Sequence, residues 1–250
     1  VKLFKVGDRV THASMPIGAY SEKQIMPEEK LVSVPDGVSD EVASCITLKG
    51  ITAEYLLHRA YPLKKGDKVL YHAAAGALGQ ILCPWANALG AEVIGTVGSK
   101  AKEEIAKKNG CHHVINYSEK DFVKEVEKTF GKNSLDVVYD GVGSKTFKGS
   151  IETLKIRGMM VAFGNASGYV ETLDIKKDIN AKGLFFTRPS IAHYTVKREE
   201  LVESAKKVFD AVLTKKFKIE ISKRYPLKDA AQAHKDLENR LLTGPAVIVP

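Results

Sequence analysis

Lys68-Val69-Leu70-Tyr71-His72-Ala73-Ala74-Ala75-Gly76-Ala77-Leu78-Gly79-Gln80 decides the fold of this chain. Residues 68–73 form a short apolar run of the kind found in strands buried on both faces. A glycine-containing turn follows, and then a helical pattern to Leu89. Set against the dinucleotide fingerprint G-x-G-x-x-G, Ala74 stands in the place of the first glycine. Gly76 lets backbone approach a pyrophosphate, and Gly79 lets the helix pack closely on the strand. The amides of Ala77 and Leu78 then point at phosphate from the helix start. Two glycines alone are equally compatible with an ordinary turn. The strand before them and the helix after them select the cofactor reading. Pro84 deletes one hydrogen bond of this helix and predicts a bend, with no function attached.

Downstream, short apolar runs alternate with amphipathic segments. Strands are expected at 92–97, 113–116, 135–140, 158–163 and 182–187, and helices over 100–109, 121–130 and 145–154. Strict alternation of this kind predicts an α/β fold with a doubly wound parallel sheet. Upstream, 4–10, 18–22 and 31–35 carry short strand-like stretches separated by turn residues. Three or four such strands rarely close a core alone, so an N-terminal part of this β-rich region is expected to be missing. A helical pattern runs from Val42 to about His58, and Gly50 predicts a break within it. Near the end, Glu199 to Lys215 presents Leu201, Val202, Ala205, Val208, Phe209, Val212 and Leu213 as one buried helical face. Leu227 to Leu241 is a further helix. Ala246–Val249 is a strand expected to rejoin the β-rich start.

The end of the second strand separates NAD from NADP. An NAD site places a carboxylate there to hold the ribose hydroxyls. The chain instead reads Thr96-Val97-Gly98-Ser99-Lys100-Ala101-Lys102. A carboxylate repels a 2′-phosphate and a lysine attracts it. Lysine is also unfavourable in a first helical turn, where the helix end is already positive. The placement therefore favours NADPH over a merely solvated helix face.

Composition narrows the remaining classes. With 38 basic and 30 acidic residues the net charge is +8, which favours anionic partners. The lysines are interleaved with glutamates, as on solvated helix faces, and no basic tract with interleaved aromatics points to nucleic acid. No apolar run is long enough to span a membrane, and the first residues do not form a signal peptide. Three cysteines, an odd number without C-x-x-C spacing, argue against a disulfide framework or structural zinc and fit a reducing cytoplasm. His112-His113 face opposite sides of a strand and do not make a metal pair. Nucleophile-elbow, H-E-x-x-H and P-loop motifs do not occur.

Residues 73–79, together with Ala88-Leu89-Gly90-Ala91, Val114-Ile115-Asn116-Tyr117, Asp140-Gly141-Val142-Gly143, Phe163-Gly164-Asn165 and Thr187-Arg188-Pro189-Ser190, resemble the NADPH:quinone oxidoreductases of the zeta-crystallin group. These belong to the medium-chain dehydrogenase/reductase superfamily. The likeness runs along essentially the whole chain, and residues 4–10 match a strand in the middle of the family's first domain. The resemblance implies a GroES-like catalytic domain, here 1–53 and 192–250 and incomplete, flanking a Rossmann NADPH-binding domain, 54–191.

It also implies site roles. Gly98, Ser99, Lys102, Tyr117 and Arg240 match positions around the adenosine 2′-phosphate. Tyr55, Val142, Phe163 and Asn165 match positions along the ribose and nicotinamide, with Thr52 nearby. Pro189 and Ser190 match a cofactor-lining loop. The implied activity is zinc-independent hydride transfer from NADPH to a quinone, with no general acid assigned. The strand near Gly183–Thr187 resembles the edge through which such enzymes form homodimers. Two alternatives stand beside this reading: a cofactor-binding structural or RNA-binding protein of the zeta-crystallin kind, and an NADPH-dependent alkenal or enone reductase.

Overall fold

The computed structural model describes residues 1–13, 16–239 and 241–250. The chain divides into two units, Val1–Glu54 with Ile191–Pro250, and Tyr55–Ser190.

The smaller unit begins with β1 (Val10–Thr11) and β2 (Val32–Ser33), which pair antiparallel. The stretch 18–22 is irregular, with bends at 20–22, rather than the expected strand. Helix α1 (Asp40–Tyr55) then runs unbroken through Gly50. The expected break is absent because the missing side chain serves packing instead. A Cβ on Gly50 would lie 2.4 Å from Val208 Cγ1.

In the larger unit, β3 (Lys68–His72) leads into α2 (Gly79–Ala88), β4 (Glu92–Val97) and α3 (Lys100–Lys108). Then come β5 (His113–Asn116), α4 (Phe122–Phe130), β6 (Leu135–Asp140), α5 (Phe147–Thr153), β7 (Leu154–Ala162) and β8 (Phe185–Thr187). All six strands lie in one parallel sheet, ordered β5-β4-β3-β6-β7-β8. The expected doubly wound sheet is present, and the strand order reverses direction beside β3. Central strands are apolar on both faces because helices cover both: Val69, Leu70, Val93, Ile94, Val137 and Val138 are fully buried. Burial of each such side chain stabilises by roughly 1.5–3 kcal/mol. Helix α4 shows how sequence sets position. Phe122, Val126 and Phe130 fall on the face packed against the core, while Asp121 caps the helix by accepting from the amides of Val123 and Lys124. Helix α2 continues through Pro84.

The smaller unit resumes with α6 (Ile191–Tyr194), α7 (Arg198–Leu213), β9 (Lys223–Pro226), α8 (Ala230–Glu238) and β10 (Ala246–Val249). In α7, Leu201, Ala205, Val208 and Phe209 are buried, whereas Val202 and Leu213, expected on the same face, are exposed. They sit at the margins of the apolar stripe, where the helix turns away from its neighbours. Strand β10 pairs in parallel with β9, not with β1 or β2. The polar run Lys-Arg-Tyr-Pro concealed β9 as a partner. Asp236 of α8 accepts from Lys223 Nζ at 2.7 Å, Gln232 Nε2 at 2.7 Å and the Tyr225 hydroxyl at 2.5 Å. These partners hold its carboxyl down at about 2, the lysine contributing most.

Candidate cofactor site

The glycine turn stands between the carboxyl end of β3 and the start of α2. Ala73 takes a left-handed conformation (φ 62°), Ala74 N–H donates to Thr96 O of β4, and Gly76 N–H donates to Ala73 O. A Cβ on Gly79 would lie 2.3 Å from the carbonyl oxygen of Ala74, so only glycine lets the helix come this close to the turn. No side chain caps the helix at Leu78. First-turn amides of a helix have no intrahelical partner, so this end is suited to a phosphate. Gly76 is exposed and Ala77 and Leu78 are half-buried around it.

Gly98, beyond β4, and Tyr117, beyond β5, are brought together: a Cβ on Gly98 would meet the Tyr117 hydroxyl at 2.6 Å. The Tyr117 amide donates to Val97 O, and the residue is 48% exposed. Ser99 heads α3 without capping it, and Lys102 lies half-buried in the first turn. The one carboxylate of that turn, Glu103, accepts from Asn116 Nδ2 at 3.3 Å. The sequence had not foreseen this pairing.

The third group follows β6 and β7. Phe163 stacks on Tyr71 with ring centroids 6.3 Å apart, and a Cβ on Gly141 would strike its ring at 2.8 Å. Ser167 N–H donates to Val142 O at 2.7 Å, and Gly143 lies close to Asn165, so the two loops are laced together. Pro189 is buried and Ser190 exposed, on a loop fastened by Arg188 to Ala162 O. Glycine turn, Gly98–Tyr117 pair and Val142–Phe163–Asn165 group all lie at the carboxyl ends of the parallel strands, where the fold binds dinucleotides. Tyr55 is buried at the start of this unit. Thr52 belongs to the smaller unit, where its hydroxyl donates to Leu48 O. Arg240 lies outside the described residues.

A zinc-binding dehydrogenase family model matches residues 77–213. Over 251 residues the chain is 42% identical to a quinone oxidoreductase of Pseudomonas aeruginosa, covering all of this chain and 77% of that protein. The chain belongs to the quinone oxidoreductase family of medium-chain dehydrogenases/reductases. A 2-haloacrylate reductase from Burkholderia is 45% identical over 250 residues, 99% of this chain and 75% of that one. The crystal structure of the Escherichia coli quinone oxidoreductase complexed with NADPH superposes with a TM-score of 0.95 at 42% identity, over all of this chain and 77% of that one.

Zinc in the family's description finds no matching donor set here. Among the described residues no three His, Cys, Asp or Glu side chains are grouped to hold a metal ion. Cys45, Cys83 and Cys111 are buried, and the hydrogen bond that the Cys83 thiol makes to Cys111, together with burial, pushes that thiol up. His112 accepts from Val93 N–H, and His113 packs on Phe130 beside Glu92. The glycine turn and the carboxylate-poor end of β4, by contrast, fit a dinucleotide bearing a 2′-phosphate.

Proposed function

We propose that this chain is an NADPH-dependent, zinc-independent oxidoreductase that reduces quinones by direct hydride transfer. The observation that carries the reading is the pairing of a tight glycine turn after β3 with Ser99 and Lys102 after β4, where an NAD enzyme would present an acid, and with Tyr117 after β5 beside Gly98. When bound, NADPH supplies the hydride. Amides at the start of α2 hold the diphosphate, Lys102 and its neighbours hold the 2′-phosphate, and Val142, Phe163 and Asn165 orient the ribose and nicotinamide. Tyr55, Thr52, Pro189, Ser190 and Arg240 complete the assignment. The protein's contribution is orientation and exclusion of water, and the reduced oxygens take their protons from water.

The larger unit is read as the Rossmann cofactor domain and the smaller as belonging to a GroES-like catalytic domain. Among the described residues no helix is long and apolar enough to cross a membrane, and we place the protein in the cytoplasm on its three free thiols. A homodimer through β8 is supported by an edge strand carrying Phe185 and Phe186, 59% and 38% exposed. Likeness to the 2-haloacrylate reductase favours a second reading, reduction of activated alkenes at the same site.

The test compares cofactors. NADPH should raise the melting temperature well beyond NADH and be oxidised in the presence of a simple quinone. Lys102→Ala should weaken NADPH about ten-fold or more, as expected for one charge-assisted hydrogen bond, and leave NADH nearly unchanged. Equal shifts with both cofactors would defeat the assignment. Faster turnover with an enone than with any quinone would favour the second reading.

A further inference from the structure

Beneath the cofactor-facing loops lies a fully buried polar chain that the proposed reaction does not use. Asp140, the last residue of β6, has no exposed surface. Its Oδ1 accepts from Val142 N–H at 2.8 Å and Gly143 N–H at 3.0 Å. The Thr146 hydroxyl donates to the carboxylate, lying 2.9 and 2.8 Å from its two oxygens, and Ser150 Oγ donates to Oδ2 at 3.0 Å. The backbone carbonyl of Asp140 meanwhile accepts from Phe163 and Gly164. On its far side Ser150 Oγ lies 2.9 Å from His72 Nε2, and His72 Nδ1 lies 2.9 Å from Thr96 Oγ1. His72 ends β3, immediately before the glycine turn.

The protons can be assigned. The single hydrogen of Ser150 goes to Asp140, so His72 must donate from Nε2 to Ser150. Burial keeps the imidazole neutral, opposed by Asp140, which leaves Nδ1 to accept from the Thr96 hydroxyl. Serine, histidine and aspartate thus stand in contact without forming a hydrolytic triad. The serine gives its proton to the aspartate, the histidine is not its base, and none of the three reaches solvent.

We propose that Asp140 is a positioning residue for the cofactor: it fixes the loops that carry Val142 and Phe163 and, through Ser150 and His72, ties them to the glycine turn. Strands β3 and β6 are neighbours at the point where strand order reverses. One loop leaves each of them toward the ligand. Each donor of this network from Asp140 to Thr96 has its acceptor, and shifting either loop would leave one unpaired, which is costly in a dry interior. The diphosphate end and the nicotinamide end of the site are thereby held at one spacing.

This inference rests on the NADPH reading, and its test separates the two. Binding of NADPH and of 2′,5′-ADP, which carries the 2′-phosphate but no nicotinamide half, is measured for the wild type, Asp140→Asn, Thr146→Val and Thr146→Ser. Asn turns one acceptor into a donor, Val removes the Thr146 hydroxyl at equal volume, and Ser keeps it. Asp140→Asn and Thr146→Val should weaken NADPH at least ten-fold and leave 2′,5′-ADP within two-fold. Thr146→Ser should restore wild-type binding. Equal weakening of both ligands, or NADPH binding within two-fold of wild type, would overturn the proposal. If Asp140→Asn does not fold, the Val/Ser pair at Thr146 decides alone. A wild-type chain that binds neither ligand would sink the cofactor reading, and this inference with it.

Discussion

Asp140 in the larger unit and Asp236 in the smaller are both buried, and they are satisfied in different ways. Asp140 in the larger unit is held by two backbone amides and two hydroxyls, with His72 Nε2 at 4.0 Å. Asp236 in the smaller unit is held by a lysine, a phenol and an amide side chain. Neutral donors fixed to loops make Asp140 a geometric device: removing it disturbs the backbone that faces the cofactor. A lysine that is half in water makes Asp236 an electrostatic one, replaceable at smaller cost because Lys223 can return to solvent.

The largest effect that sharpens this contrast is expected from Asp140→Ala. Several buried donors would lose their acceptor together, at a cost of about 3 kcal/mol or more, read by urea or thermal unfolding. Asp236→Ala should give a clearly smaller loss by the same measurement. Comparable losses would erase the distinction.

A second contrast lies in packing. Gly50→Ala in the smaller unit would drive a methyl group into Val208 and should destabilise by about 1–3 kcal/mol. Adding Val208→Ala should recover part of that, giving a coupling in a double-mutant cycle. Strict additivity would show that Gly50 is not kept for this contact.

The smallest effect concerns acid. Asp236 sits at about 2 in the folded chain, below the value near 3.9 of a free aspartate. Its contribution is therefore complete above about pH 4 and is lost as pH falls toward 2. Asp236→Asn should flatten the acid limb of the stability curve in that window and leave neutral pH nearly unaffected. An unchanged acid limb would break the comparison from the other side.

Much of the larger unit was legible because strands buried on both faces are plain apolar runs. The bounds of 92–97, 113–116 and 135–140 match the structure residue for residue, as do those of 246–249 in the smaller unit. What was illegible depended on distant partners. Gly50 reads as a helix breaker until Val208 is seen beside it, and β9 reads as polar coil until β10 pairs with it. The glycine turn was legible as a motif. The chain from Asp140 to His72 was not, since its members lie 68 residues apart and His72 alone looks like an isolated core histidine. One local signal existed: an aspartate closing a strand and accepting from the amides two and three residues on is a common turn device.

Ala73 closes the glycine turn in a backbone region that costs an L-residue about 1–2 kcal/mol. A glycine would relieve that cost. The bend is held against that preference by the Ala74 amide on Thr96 O and the Gly76 amide on Ala73 O, so folding and not the ligand meets the strain, and association loses little to ordering it. The expected signature is fast, lock-and-key capture of the diphosphate, with slower adjustment reserved for the opposite end of the dinucleotide.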